Sequence, residues 1–191
     1  MFRRWLMVTL AVLTTGCGYN RIQKLDENAQ AYQSQIEVQL QRRADLIPNL
    51  VSTVKGYAQH EEQVLTQVTQ ARAGLLGAVK SGDPEQMATA NAQMTGALGR
   101  LFAVVENYPN LKADQSFLRL QDELTGTENR IAVARNDYNA AVNEYNAYIR
   151  QFPAVITAKL TGAKQRKYFT AAPGTTEAPK VDFSKPPTKT P

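Results

Sequence analysis

The sequence predicts an all-α protein, and more specifically an antiparallel up-and-down four-helix bundle with long helices. Apolar residues recur every three or four positions from Tyr19 to about Phe152, and prolines fall at the edges of these segments. No stretch shows the period-two alternation that is typical of strands. The 191 residues are 43% hydrophobic and 20% charged, which fits one folded domain with appendages.

The last long segment has the clearest pattern. Large residues stand seven apart, and a second set lies between them. They are Phe117, Leu124, Ile131, Tyr138, Tyr145 and Phe152, interleaved with Leu120, Thr127, Ala134, Ala141 and Tyr148. A repeat of this kind faces a partner helix. We therefore expect the tyrosines in the core rather than around a ligand.

The preceding helix has a clear start signal. Asp83 can cap the first turn, Pro84 suits the first helical position, and Gln86 completes a pattern like a capping box. An apolar stripe follows it and should stop at Pro109, because the residue before a proline disfavours helical geometry. The stripe is Met87, Asn91, Met94, Leu98, Leu101, Val105 and Tyr108.

Two earlier segments carry their own stripes, and Pro48 lies between them. The first is Ile22, Leu25, Ala29, Tyr32, Ile36 and Leu40; the second is Ile47, Leu50, Val54, Tyr57, Val64, Val68, Ala71 and Leu75. Because proline removes one helical hydrogen bond, we expect a corner near residues 45–48. The alternative is one continuous, kinked helix.

The N-terminus reads as an export signal. Arg3 and Arg4 precede an apolar run, and small residues lead to Cys17. This order resembles a bacterial lipobox, although Thr14 stands where Leu is usual. We predict a signal peptide over 1–16 and lipidation of Cys17; the alternative is an uncleaved anchor with an ordinary cysteine. By resemblance to the sorting rule of enteric bacteria, Gly18 indicates the outer membrane, facing the periplasm.

Composition argues against several kinds of chemistry. One Cys and one His are too few for a structural zinc site, and Val64 stands where a zincin motif after His60 would need histidine. We expect His60 to be exposed, and we expect no metal and no cofactor. Arg3 and Arg4, within the predicted signal, supply two charges of the net +5. Because nucleic-acid binding usually needs a basic stripe on a folded face, and the sequence shows none, we expect no nucleic-acid partner.

Several charges lie on or beside the apolar stripes. An unpaired charge there would be costly, so we expect an inter-helix polar network in which Arg43 or Arg42 meets Glu61 or Glu128. Such a network could fix the helix register, or it could be a ligand or partner site. The members are Arg42, Arg43, Asp45, Glu61, Glu128 and Arg135.

Several motifs together resemble the LemA family. They are RRADLIPNLV (42–51), VKGYAQHE (54–61), Ala-Arg (71–72), ENYPNLKA (106–113), LQDELTGTENRIAVAR (120–135), Tyr-Asn at 138–139 and 145–146, and Phe-Pro (152–153). The resemblance covers about 19–170 and implies a helical-bundle domain outside the cytoplasm, held by an N-terminal membrane segment. It implies no catalytic residues.

We therefore expect a LemA-like bundle domain over 17–170, with an ambiguous segment up to Phe169 and a disordered Pro/Lys-rich tail over 171–191. The expected function is that of a non-enzymatic, membrane-anchored binding or scaffolding module with a protein partner in the cell envelope. The alternative is an enzyme that uses carboxylates such as Glu61, Glu106 or Glu128, or a small-ligand binder that uses the polar network.

Overall fold

The computed structural model describes residues 2–58 and 60–170, with side chains from residue 18 onward. Its helices are α1 (Phe2–Tyr57), α2 (Glu62–Ser81), α3 (Pro84–Val105), α4 (Pro109–Lys112), α5 (Gln115–Tyr148) and α6 (Ala154–Thr161). The described part of the chain contains no strand, which confirms the all-α class. The Cys17 side chain and the predicted tail lie outside the described part.

Helix α1 runs through Pro48, so the expected corner at 45–48 is wrong and the alternative of one continuous helix is correct. Pro48 has no N–H to donate to the Ala44 carbonyl one turn earlier. That carbonyl accepts instead from Nε of Arg72 on α2, at 2.9 Å. The Pro48 side chain is exposed. The helix break falls at 58–61, beyond Tyr57.

The other helix starts follow from capping. The Asp83 carboxylate accepts from the backbone N–H groups of Glu85 at 2.9 Å and Gln86 at 3.2 Å, as expected for the start of α3. Helix α3 ends at Val105, a few residues before Pro109, and Pro109 opens the single turn of α4. The Asp114 carboxylate caps α5 in the same way, on Ser116 and Phe117.

The long helices pack as antiparallel neighbours. Helix α5 lies along α1. Arg21 bonds Glu144 near one end of this pair, and the Tyr57 hydroxyl donates to Asp114 at the other. Helices α2 and α3 form a hairpin that packs on α1 through α2. The turn of this hairpin lies level with Gln33, whose Nε2 donates to the Gly82 carbonyl at 2.9 Å.

The apolar stripes form the core, with two exceptions. Tyr138 and Tyr145 are buried, and Tyr148 is half-buried. Tyr57 is 45% exposed because it lies in the last turn of α1. Phe152 is 82% exposed because α5 ends at Tyr148, so the seven-residue spacing stops being helical before it. The placement of these two residues in the core was wrong.

The part of α1 that precedes Gln33 packs against other neighbours than the α2–α3 hairpin. A second apolar cluster joins α1, around residues 22–25, to the end of α5 and to α6; its buried members are Ile22, Leu25, Tyr145, Ile149 and Ala158. Residues 163–170, the C-terminal strap, lie beside them and contain the buried Phe169. No helix of the described residues has a stretch long and apolar enough to cross a membrane.

Candidate functional site: a buried arginine and an exposed groove

Arg43 lies at the centre of the long helices and is only 3% exposed. Its Nη1 donates to Oδ1 of Asn91 on α3 at 2.6 Å. The same nitrogen forms an ion pair with Oε2 of Glu128 on α5. One side chain of α1 therefore connects two other helices: Asn91 lies on the apolar stripe of α3, and Glu128 lies beside the stripe of α5.

The electrostatics of this centre are asymmetric. Burial lowers the pKa of Arg43 from its ordinary value, while the negative charge of Glu128 opposes that shift. The Glu128 side chain is 42% exposed and the Arg43 side chain 4%. Glu128 Oε2 touches Arg43 without the alignment of a hydrogen bond, and Arg43 Nε has no hydrogen-bond partner among the described residues. The cation thus depends on its carboxylate more than the carboxylate depends on the cation.

The structure brings together only part of the predicted network. Arg42 and Arg135 are exposed. Asp45 is exposed and accepts from Gln41 at 2.9 Å. Glu61 accepts from the Tyr108 hydroxyl at 3.0 Å, and this hydrogen bond raises the pKa of Tyr108. Within the described residues, these four charges form no ion pair with Arg43 or Glu128.

His60 is exposed beside the break between α1 and α2. Among the described side chains, no group of three or more His, Cys, Asp or Glu lies close enough together to hold a metal ion. The remaining candidate carboxylate, Glu106, forms an ion pair with Lys112 near the surface.

An open groove of about 590 Å³ runs between α1 and α5. Val38 and Val133 line it, and each is 60% exposed. This groove is not predicted by the sequence, because both valines fall outside the core stripes. No other pattern in the sequence around Val38 or Val133 indicates that the two residues lie together. The other lining residues are small, polar or charged: Ala31, Ser34, Gln35, Gln39, Asn129, Arg130, Ala134 and Asp137.

The groove adjoins the buried arginine. Gln39 lies one helical turn before Arg43, and its buried Oε1 has no hydrogen-bond partner among the described residues. An unpaired buried acceptor costs about 1–3 kcal/mol, so this end of the groove favours an occupant that can donate a hydrogen bond.

The C-terminal strap is a second feature that the apolar pattern of the sequence does not predict. The Asn139 side chain accepts from the backbone N–H of Phe169 at 2.8 Å and donates to its carbonyl at 3.2 Å. Asn146 does the same for Arg166, at 2.8 and 2.9 Å. The two Tyr-Asn pairs of the sequence, which stand seven residues apart, mark the residues that bind the strap. Both asparagines contact its backbone, and the Tyr138 hydroxyl also donates to the Lys167 carbonyl.

Charged contacts hold the strap against two more helices. Arg166 bonds Asp26 of α1 at 2.7 Å, and this hydrogen bond raises the pKa of Arg166. Lys167 bonds Asp83 at the start of α3 at 2.7 Å, which raises the pKa of Lys167 and lowers that of Asp83. The strap therefore joins α1 and α5 to the start of α3, next to the turn of the α2–α3 hairpin.

Comparison with known proteins gives consistent matches. The model of the LemA family matches residues 32–183. The chain is 31% identical to magnetosome protein MamQ 2 of Paramagnetospirillum magneticum, over 88% of this chain and 70% of the relative. It is 30% identical to magnetosome protein MamQ of Magnetospirillum gryphiswaldense, over 81% and 65% of the two chains.

A more distant relative carries the family name itself. The chain is 25% identical to protein LemA of Metamycoplasma hominis, over 71% of this chain and 64% of the relative. The matched range contains the buried Arg43, its partners Asn91 and Glu128, both groove valines and the C-terminal strap. With that range covering most of its length, the chain belongs to the LemA family.

Proposed function

We propose that this protein is a non-enzymatic, membrane-anchored binding module of the bacterial cell envelope. In this proposal the groove between α1 and α5 holds an amphipathic helix of a partner protein. The observation that carries the proposal is the pair of exposed valines, Val38 and Val133, facing one groove from two long antiparallel helices. An apolar helix face laid into such a groove is a common mode of recognition.

The charges beside the groove define the partner further. Arg130 and Asp137 line it on α5, seven residues and so two helical turns apart, with Val133 between them. A docked helix would place an acidic side chain near Arg130 and a basic one near Asp137, on either side of its apolar contact. Gln39 would accept a hydrogen bond from the same helix.

A site-specific crosslink tests this docking surface. A photoreactive amino acid replaces Val133 in the full chain within cells, and the matched control carries it at the exposed Thr66 on α2. We expect an adduct with one polypeptide from position 133 and not from 66, and we expect Val38→Lys to abolish it. The same adducts from both positions, or an adduct that survives Val38→Lys, would contradict the proposal.

Membrane anchoring is the second part of the proposal, and it rests on the order of residues before Cys17. Support comes from α1, which continues from residue 18 to Tyr57 and so joins the residues directly after Cys17 to the core without a break. A Cys17→Ser variant should lose labelling by palmitate and leave the membrane fraction. Labelling that persists in Cys17→Ser would remove the lipid anchor from the proposal.

The absence of enzymatic activity is also proposed, and the surroundings of the candidate carboxylates support it. Glu61 accepts from a tyrosine, Glu106 pairs with a lysine and Glu128 pairs with Arg43. Each carboxylate is thus held by a neutral or cationic side chain of the protein, whereas glycoside cleavage uses two carboxyl groups that face one another across an open cleft, about 5–9.5 Å apart.

We further propose that the long helices close into an up-and-down four-helix bundle. Two observations support closure. Arg43 of α1 reaches both α3 and α5, and Phe102 of α3 packs edge-on against Phe117 of α5 with ring centroids 6.2 Å apart. Distances between spin labels on α3 and α5 would test it, since an open arrangement would give a broad distribution.

A further inference from the structure

Helix α6 exposes apolar side chains in a regular pattern. Phe152 is 82% exposed, Ile156 47% and Leu160 79%, and these residues are four apart. Ile156 and Leu160 therefore share one face of α6, and Phe152 lies two residues before the helix begins. These three residues, the α6 patch, lie on a helix whose opposite side is fixed by the buried Ala154 and Ala158.

The position of the patch is set by contacts with the first described side chains of α1. A methyl group built on Gly18 would lie 3.4 Å from Oγ1 of Thr157 and 3.9 Å from the Cα of Ala154. Ala158 belongs to the same apolar cluster as Ile22 and Leu25. Helix α6 thus begins beside Gly18, the residue that follows Cys17, and runs along α1 in the same direction.

The stretch of sequence that contains the patch carries charges of one sign. Residues 145–176 contain no Asp or Glu. The same range has five basic residues, of which Arg166 and Lys167 pair with Asp26, Asp83 and Glu85. Arg150, Lys159 and Lys164 are exposed and form no ion pair within the described residues. An apolar face flanked by unpaired cations is typical of helices that lie in the interface of an anionic membrane.

We propose that the α6 patch inserts into the headgroup region of the membrane next to the lipid anchor, with Arg150, Lys159 and Lys164 meeting anionic phospholipid. This inference rests on the proposed membrane anchoring through Cys17. It adds a second contact with the membrane. This contact would tilt the domain so that the α6 side of α1 faces the bilayer, and it would fix which face of the domain points away from it.

The geometry predicts an order of depth. Ala154 lies beside Gly18, and Leu160 lies six residues further, about 9 Å along a helix that rises 1.5 Å per residue. Interfacial helices bury their apolar faces by about 5–10 Å. Phe152 should therefore lie deepest and Leu160 shallowest. The groove valines lie further from Gly18, towards the other end of α1 and α5, and should stay in water.

Fluorescence of single tryptophans tests the inference in the full chain. Trp5, the only tryptophan of the sequence, belongs to the predicted signal peptide over 1–16; it is replaced by Phe so that the reporter is the sole source of signal whether or not that peptide is removed. The reporters are Phe152→Trp and Leu160→Trp. The matched control is Val133→Trp, because Val133 is 60% exposed but lies in the groove. Each protein is reconstituted into phosphatidylcholine vesicles containing phosphatidylglycerol and lipids with brominated acyl chains.

We expect brominated lipid to quench the reporter at 152 at least about twofold, the reporter at 160 less, and the control not at all. Lys159→Glu combined with Lys164→Glu should reduce quenching at 160 on vesicles with phosphatidylglycerol. If the protein stays with the vesicles but neither reporter is quenched more than the control, the α6 inference is overturned and the anchor stands. If the protein does not associate with the vesicles at all, the proposed anchoring fails as well.

Discussion

Arg72 of α2 donates from Nε to the Ala44 carbonyl of α1 at 2.9 Å, and this is the carbonyl that Pro48 leaves without its helical partner. A side chain from a neighbouring helix thus satisfies a break in the hydrogen bonding of α1. The relationship explains how a proline can lie inside a helix that continues to Tyr57. It also links two of the motifs that carry the family resemblance.

Replacement of Arg72 should destabilise the protein more when Pro48 is present than when it is absent. Arg72→Ala leaves the buried Ala44 carbonyl unsatisfied and should lower the free energy of unfolding by about 1–3 kcal/mol. In a Pro48→Ala background the backbone N–H of residue 48 bonds the same carbonyl, so Arg72→Ala should cost about 1 kcal/mol less. Urea unfolding of the four chains measures this coupling. Arg100→Ala, which removes a surface bond to Gln67, is the control and should show no coupling to Pro48→Ala.

Removing Arg43 and removing Glu128 should cost different amounts of stability, because only Arg43 is buried. Glu128→Ala leaves the buried Arg43 without its anion and should destabilise the protein by about 3–5 kcal/mol. Arg43→Met removes the buried charge and leaves Glu128, whose side chain is 42% exposed, to water; we expect a smaller loss of about 1–2 kcal/mol. Thermal and urea unfolding provide the comparison. A larger loss for Arg43→Met than for Glu128→Ala would show that the cation does not depend on this carboxylate.

The core stripe of α5 can be tested with two leucines of one helix. Leu124 is 3% exposed and Leu118 is 43% exposed. Leu124→Ala should lower the free energy of unfolding by about 2–5 kcal/mol, because it removes buried methyl groups and leaves a cavity. Leu118→Ala should cost well under half as much. Equal tolerance at the two positions would mean that the stripe does not form the core.

The C-terminal strap should detach when its asparagine contacts are removed. Asn139→Ala combined with Asn146→Ala deletes four hydrogen bonds to the backbone of residues 166 and 169. Hydrogen exchange at the amides of Arg166 and Phe169 should become at least about tenfold faster, which corresponds to roughly 1.4 kcal/mol of local stability. Amides in the middle of α3 serve as the internal control. Unchanged protection at both strap amides would be inconsistent with these contacts.

The two capping aspartates should give a stability that falls in acid. Backbone hydrogen bonds, chiefly from Phe117, lower the pKa of Asp114, and the hydrogen bond from Lys167 is the main cause of the lowered pKa of Asp83. Their folded-state pKa values are below the unfolded value of about 3.9, so the stabilisation is complete above that pH. It is lost as the pH falls through 3.9 towards the folded-state values.

The matching measurement is Tm as a function of pH. Asp83→Asn combined with Asp114→Asn keeps side chains that can cap a helix but removes both titrations, so Tm should fall less steeply below about pH 4. Asp122→Asn, at an exposed position of α5, is the control. An acid decline as steep in the double variant as in the unaltered protein would exclude these two carboxylates as its cause.

The sequence was sufficient for features that depend on local physics. The seven-residue spacing from Phe117 to Tyr145 identified α5, and Asp83 with Pro84 identified the start of α3, because helical periodicity and capping involve neighbours in the chain. The Pro48 corner was wrong because its remedy, Arg72, lies on another helix. Phe152 was wrong because the repeat was extended beyond the end of α5 at Tyr148.

The sequence alone therefore determined the helical class, the positions of most core residues and the segments that carry the family resemblance. Only the tertiary structure decided which charges meet. Arg43 pairs with Glu128 while Arg42, Asp45, Glu61 and Arg135 do not, and Val38 and Val133 come to share one groove. The physical reason is that periodicity gives each residue a face on its own helix, whereas the partner of that face depends on how the helices are rotated and aligned against one another.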